Sequence, residues 1–280
     1  MKPLPFYKKV NIFTKASEEA RNFSRRLKNW LNSYAIESNI FENLAELENE
    51  KNLKGTDLLL VVGGDGSLLI ATRRVARFNI PVLGINLGRL GFLTELNEYD
   101  AFEKLEDILS KPLCLSRRMM LRAILYRNGK KILEADVLND VVVNKAILAR
   151  IVDVAVYVGD TYITTYNGDG IIISTPNGST GYALSAGGPI VYPMMEIFLV
   201  VPICPHTLTD RPLILPTLEP IKIKLVAEEK DAWLTLDGQE GTQLQYGDEI
   251  IVKQSPYFAH LVRVPYKNYF DILRDKLDWK

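Results

Sequence analysis

Three stretches of the 280-residue chain hold the residue types that group-transfer chemistry needs, at usable spacings. The first is Val61-Val62-Gly63-Gly64-Asp65-Gly66-Ser67. Glycines between an apolar run and a helical pattern permit unusual φ and let a ligand approach the backbone. Amides at the start of the following helix favour phosphate. The stretch lacks the Gly-Lys-Ser/Thr of a Walker loop and the spacing of a dinucleotide fingerprint. It carries a carboxylate instead, which repels phosphate unless it has a task. Asp65 can orient and deprotonate an attacking hydroxyl, or hold magnesium; the plain alternative is a tight turn capped by an aspartate. The second stretch runs from Asp169-Gly170 through Ser174-Thr175-Pro176-Asn177-Gly178-Ser179-Thr180-Gly181-Tyr182 to Gly188-Pro189. Its hydroxyls and glycines offer uncharged donors to phosphates and ribose, and Tyr182 offers a ring on which a base can stack. The third is Leu138-Asn139-Asp140-Val141, an adjacent amide and carboxylate able to grip a pair of ribose hydroxyls or to cap a strand edge.

The elements that must hold these stretches change character near residue 115. Before it, strands alternate with helices. Lys9 to Thr14 reads as a strand, and Ser17 opens a helix whose stripe is Ala20, Phe23, Leu27, Trp30, Leu31 and Tyr34. Asp57 to Val62 is an apolar run suited to a strand covered on both faces. Ser67 to Arg77 reads as a helix, Ile80 to Asn86 as a strand and Asp100 to Leu109 as a helix. Such alternation predicts a parallel sheet with right-handed crossovers. Beyond residue 115 the period becomes two. Leu121 to Tyr126 and Lys131 to Val137 flank Asn128-Gly129, a hairpin signature. Val152 to Val158, Tyr162 to Tyr166, Ile221 to Leu225, Trp233 to Leu236 and Ile250 to Lys253 follow as strands, with a solvated turn at Glu228-Glu229-Lys230-Asp231. The expected architecture is an α/β domain over 1–115, Rossmann-like and carrying the glycine–aspartate loop, then a mainly antiparallel β domain over 116–265. A helix within 266–280 should pack back on the first domain.

Composition narrows the function. Lys and Arg total 34 against 34 Asp and Glu, without the basic surplus of a general nucleic-acid binder. Two cysteines and two histidines furnish neither a disulfide framework nor a structural zinc site. The N-terminus lacks a signal-peptide core, and the most apolar stretch, Met194 to Cys204, is far shorter than the roughly 20 residues of a spanning helix. A cytoplasmic protein is expected, with no nucleic-acid or membrane partner.

With Gly84-Ile85-Asn86-Leu87-Gly88-Arg89-Leu90-Gly91-Phe92-Leu93-Thr94, Pro205-His206-Thr207-Leu208-Thr209-Asp210-Arg211-Pro212 and Asp237-Gly238-Gln239, the three stretches resemble the NAD kinase family over nearly the whole chain. The glycine–aspartate loop is shared with lipid kinases and phosphofructokinases; the Asn86 to Thr94 stretch and the long Ser/Thr/Gly segment are far more specific. The resemblance implies transfer of the terminal phosphate of ATP, or of polyphosphate, to the 2′-hydroxyl of the adenosine ribose of NAD. It also implies two domains with the active site between them, a homodimer or homotetramer, and a divalent metal, magnesium, carried by ATP and not by fixed protein ligands. Asp65 matches the proton acceptor, with Gly66 beside it. Asn139, Asp140, Asp169, Thr180, Gly181, Tyr182, Ala183, Leu184, Ser185 and Gln239 match NAD-binding positions. Phe92 matches a pocket aromatic, and Arg150 a contact near a phosphate. Asn167 and Asn177 stand at binding positions where the family usually has Arg and Thr or Ser. Asp140 replaces a frequent Glu, Gly181 the usual Ala, and Ile70 a basic residue for which Arg73 or Arg74 is the nearest substitute. Two other readings stay open: a lipid or sugar kinase with the same loop, and a non-catalytic NAD(H)-binding regulator.

Overall fold

Val10–Thr14 (β1), buried throughout, starts a parallel sheet. Glu18–Ser33 (α1) follows, its N-terminus capped by the Ser17 hydroxyl accepting from the Ala20 amide and its first turn carrying Glu18 and Glu19, which oppose the helix dipole. Ile40–Phe41 (β2), Leu44–Glu48 (α2) and Glu50–Leu53 (α3) come next, then Leu58–Val62 (β3), Asp65–Val75 (α4), Val82–Asn86 (β4), Leu96–Asn97 (β5) and Ala101–Leu109 (α5). The strands pair in parallel in the order β5-β4-β3-β1-β2. Their apolar faces build one core from Val10, Ile12, Leu58, Leu60, Leu83 and the α1 stripe, and a second from Leu59, Val61, Leu68, Ala71 and Val75. This computed structural model describes residues 6–88, 91–145, 151–226, 232–264 and 268–279.

The chain divides into two compact units, 1–117 with 259–280 and 118–258, whereas the sequence reading draws the second domain to 265. The second unit is built from Leu115–Arg127 (β6), Lys130–Val137 (β7), Asp140–Lys145 (β8), Val152–Val158 (β9), Thr161–Gly168 (β10) and Gly170–Ser174 (β11). It continues with Tyr182–Ser185 (α6), Ile197–Ile203 (β12), Leu213–Pro216 (β13), Ile221–Leu225 (β14), Ala232–Leu236 (β15), Glu240–Gln243 (β16) and Glu249–Val262 (β17). One sheet runs β13-β12-β11-β8-β15-β16, antiparallel throughout. Alternate residues of β8, β11 and β15, such as Val141, Val143, Ile171, Ile173 and Leu234, face a core shared with β6, β9, β14 and β17. Asn128 and Gly129 both have positive φ, as a type I′ turn between β6 and β7 requires.

Among the differences from the sequence reading, two bear on how the chain is organised. Helix α4 begins at Asp65, inside the glycine stretch, because extended Gly64 serves as its N-cap. Strand β17 is 14 residues long where Ile250 to Lys253 was expected. Its end, Leu261, pairs in parallel with Val82 of β4, so a strand read as local returns the chain to the first unit. Tyr269–Leu277 (α7), capped by Asn268, completes that unit. Among the described residues, no helix is long and apolar enough to cross a membrane.

Candidate functional site

In the first unit the glycine–aspartate loop closes on the segment that follows β4. Asp65 is half-buried at the start of α4. Its Oδ2 accepts the Phe92 N–H at 2.7 Å, and its Oδ1 accepts the Leu93 and Thr94 N–H groups, both at 3.2 Å. One carboxylate thus holds three consecutive amides of a turn 27 to 29 residues away. The approach dictates a glycine: a Cβ on Gly91 would lie 1.9 Å from Asp65 Oδ1. The Thr94 hydroxyl accepts the Gly91 N–H at 2.8 Å and tightens the same turn. Gly66 is exposed next to Asp65, and Phe92 is half-buried. Arg74, which the resemblance offered in place of a basic residue at Ile70, is paired with Glu48 at 3.0 Å, and Arg73 is buried.

In the second unit a cavity of about 290 Å³ is lined by Asn139, Asp140, Val142, Asn144, Tyr182, Thr235, Asp237 and Gly238. Alternation along β8 points Asp140, Val142 and Asn144 to this face of the sheet and Val141 and Val143 to the core. Asp237 and Gly238 occupy the β15–β16 turn with φ of 51° and 65°. The Gln239 N–H bonds the Leu236 carbonyl at 3.0 Å, a type I′ arrangement. From that turn Asp237 Oδ2 accepts the Leu138 N–H at 3.0 Å, and Oδ1 accepts those of Asn139 at 2.7 Å and Asp140 at 2.9 Å. Burial, then the neighbouring Asp237 charge, pushes the Asp140 carboxyl up to about 7. Among the described residues no hydrogen bond reaches it, and it is 5% exposed on the cavity wall. Burial, followed by the charges of Cys204, Asp169 and Asp140, raises the Tyr182 phenol above its ordinary value.

The hydroxyl-rich stretch departs from expectation. Ser174 and Thr175 donate to the Asn139 and Leu138 carbonyls at 3.1 and 2.7 Å, and Ser179 to Pro176 at 2.7 Å. Thr180 donates to the Asn177 carbonyl at 3.4 Å. Ser174 and Thr175 thereby tie the loop to the entry of β8, while Ser179 and Thr180 hold turns within the loop itself, as buried hydroxyls find partners. Gly178 permits that contact: a Cβ there would lie 2.5 Å from the Asn139 oxygen. Asn177 Nδ2 bonds Asn139 Oδ1 at 2.7 Å.

The other expected residues scatter. Ala183 has its side chain in a small core with Val142, Ile172 and Leu199; Gly181 and Ser185 are exposed and Leu184 is half-buried. Asn167 donates to Asp153 at 2.5 Å, and Asp169 pairs with Lys145 at 2.9 Å. Gln239 is exposed. Of the expected binding residues, the cavity lining gathers Asn139, Asp140 and Tyr182. Arg150 and the turn at 228–231 lie outside the described residues. Sequence reasoning gave no role to Asp237, Asn144, Thr235, Arg118 or Lys145. Asp237 stood in the Asp237-Gly238-Gln239 motif, which carries no information on what the carboxylate reaches. No group of three or more His, Cys, Asp or Glu among the described residues could hold a metal ion.

Family models match both halves of the chain: ATP-NAD kinase N-terminal domain over 13–112 and ATP-NAD kinase C-terminal domain over 138–264. The NAD kinase of Aquifex aeolicus is 43% identical over 272 residues, covering 97% of this chain and 99% of its own. An Archaeoglobus fulgidus NAD kinase in complex with ATP superposes with a TM-score of 0.75 at 25% identity, covering 96% of this chain and 97% of its own. Yeast NADH kinase complexed with NADH shares the fold, with a TM-score of 0.86 at 24% identity over 99% of this chain and 88% of its own. With both domains matched and close identity to a relative over nearly its full length, the chain belongs to the NAD kinase family and works as a kinase on NAD.

Proposed function

We propose that Asp65 is the proton acceptor of the reaction and that Asn139 and Asp140 hold ribose hydroxyls of NAD. The observation that carries this reading is the Asp140 carboxyl, buried on a cavity wall and without a hydrogen bond among the described residues. A buried polar group left without partners is costly, and a ribose hydroxyl is a fitting one. Tyr182, half-exposed on the same wall, presents a ring to the base. Gly66, Phe92, Asn167, Asp169, Asn177, Thr180, Gly181, Ala183, Leu184, Ser185 and Gln239 complete the contact set, with Arg150 near a phosphate.

Each oxygen of an ionised carboxylate offers about two acceptor positions. Asp65 Oδ1 spends two on Leu93 and Thr94, while Oδ2 spends one on Phe92, so Oδ2 keeps room for a proton. The 2′-hydroxyl gives its proton to Asp65 as its oxygen bonds the terminal phosphorus, and the bond from that phosphorus to the ADP oxygen breaks. Three fixed amides hold the base in place before the substrate arrives, which is how positioning lowers a barrier. The metal, magnesium, enters with ATP as part of that substrate and neutralises charge on the phosphates. Inorganic polyphosphate is the other donor to test. The enzyme acts in the cytoplasm as a homodimer or homotetramer; apolar Tyr192, Met194, Met195 and Trp233 left exposed support the assembly.

The test is NADP formation from NAD, ATP and magnesium, coupled to an NADP-specific dehydrogenase, with polyphosphate in parallel. Asp65→Asn should abolish most turnover. It also sets an NH2 against the Phe92 amide, so NAD binding and melting temperature are measured on the same protein. Near-full turnover in that variant would overturn the assignment of the base.

A further inference from the structure

Arg118 is 5% exposed and Asn177 is 7% exposed, and they form a short relay to Asn139. Arg118 Nη1 donates to Asn177 Oδ1 at 3.3 Å, and Asn177 Nδ2 donates to Asn139 Oδ1 at 2.7 Å. A carboxamide can exchange its oxygen and nitrogen by a half-turn, so its direction is settled by its neighbours. A guanidinium has donors and no acceptor. The Asn177 atom facing Arg118 must therefore be oxygen, which turns its nitrogen to Asn139 and requires oxygen there too. The remaining end of Asn139 is its NH2, 3.9 Å from where a Cβ on Gly181 would stand.

We propose that Arg118 is a positioning residue that acts through Asn177 to fix Asn139 as a hydrogen-bond donor to the ribose of NAD. This rests on the reading that Asn139 and Asp140 hold that ribose. With Asn139 locked as a donor beside the Asp140 carboxyl, the strand entry selects a ligand that presents an acceptor to one residue and a hydroxyl hydrogen to the other. A Thr or Ser at position 177, the usual family residues, has a hydroxyl that donates or accepts. The amide passes the direction on without that freedom.

The decisive variant is Asn177→Asp. Its carboxylate keeps Arg118 satisfied, yet it forces Asn139 to turn its NH2 inward and its oxygen toward the ligand. The KM for NAD should rise about 10-fold or more, as two acceptors come face to face, with the KM for ATP and the melting temperature unmoved. A KM for NAD within about twofold of the parent's would overturn the proposal. Should that variant not fold, Arg118→Gln, whose amide donates or accepts, should raise the KM for NAD about threefold, and Arg118→Lys should recover it; an unchanged KM in Arg118→Gln sinks the relay. The relay is also read without substrate. The Asn177 side-chain NH2 protons of the free enzyme should be protected from exchange, lose protection in Arg118→Gln and regain it in Arg118→Lys. Unprotected protons in an enzyme that phosphorylates NAD would refute the relay alone, whereas a protected relay in a protein that neither binds nor phosphorylates NAD would refute the site assignment.

Discussion

Asp65 and Asp237, one in each unit, do the same thing to the backbone: each carboxylate accepts three consecutive N–H groups from a segment distant in sequence. What surrounds them differs. Asp65 is half-buried at the start of a helix, and the turn it holds is only partly covered. Asp237 is buried in a positive-φ turn, and its charge acts on a second carboxyl, that of Asp140. On the reading proposed above, the same clamp serves two ends: at Asp65 the clamping group is itself the proton acceptor, and at Asp237 it organises a neighbour. Burial decides which, because the cost of losing the clamp grows as water is excluded from the amides.

The sharpest way to break this comparison is to remove each clamp with alanine. Asp65→Ala should lower kcat about 10²–10⁴-fold, the usual value of general-base help, while costing only about 1–2 kcal/mol of stability, since water can reach the freed turn. Asp237→Ala should reverse the pattern, costing roughly 3–5 kcal/mol in denaturant unfolding as buried amides lose their acceptor. Equal stability losses would show that exposure does not separate the two. A smaller effect comes from Asp140. Its folded pKa, about 7, lies above the ordinary carboxylate value of 3.8, so the folded state holds a proton that the unfolded chain releases between those values. The stabilising contribution is fully present below about pH 4 and is lost as pH rises through about 7. The enzyme should lose on the order of 2–4 kcal/mol relative to Asp140→Asn across that window, as read by unfolding at pH 4.5 and 8; a constant difference would mean that Asp140 is ionised throughout. Smallest is Arg74→Ala. The Glu48 pair it removes is partly exposed and should be worth under about 1 kcal/mol, with no change in the KM for ATP. A large rise in that KM would mean that Arg74 leaves Glu48 to supply the cation absent at Ile70.

Legibility in the sequence followed the range of the interaction. Helix α1, with Ser17 at its cap and its apolar stripe, and the Asn128-Gly129 hairpin were readable because capping, periodicity and turn chemistry act over a few residues. The start of α4 was misplaced by two residues because glycines in a loop motif mask a helix N-terminus. The full length of β17 was missed because its last residues owe their strand conformation to β4, about 180 positions away in the chain. At the site, Asp65, Asn139, Asp140 and Tyr182 stood out by type and context. The serines and threonines of 174–180 looked like ligand donors, and only folding showed that several are spent on backbone carbonyls.

The order of residues by itself determined the chemistry on offer: a carboxylate among glycines, an amide–carboxylate pair, the strand and helix periods of two domains, and membership of one kinase family. Tertiary structure decided what each polar group faces. It joined Asp237 to the amides of 138–140, Arg118 to Asn177 and Asn139, and Arg74 to Glu48. Periodicity and capping are local properties that a chain writes along its length. Satisfaction of a buried charge or amide depends on which distant backbone the core brings against it, and that is set only when the core packs.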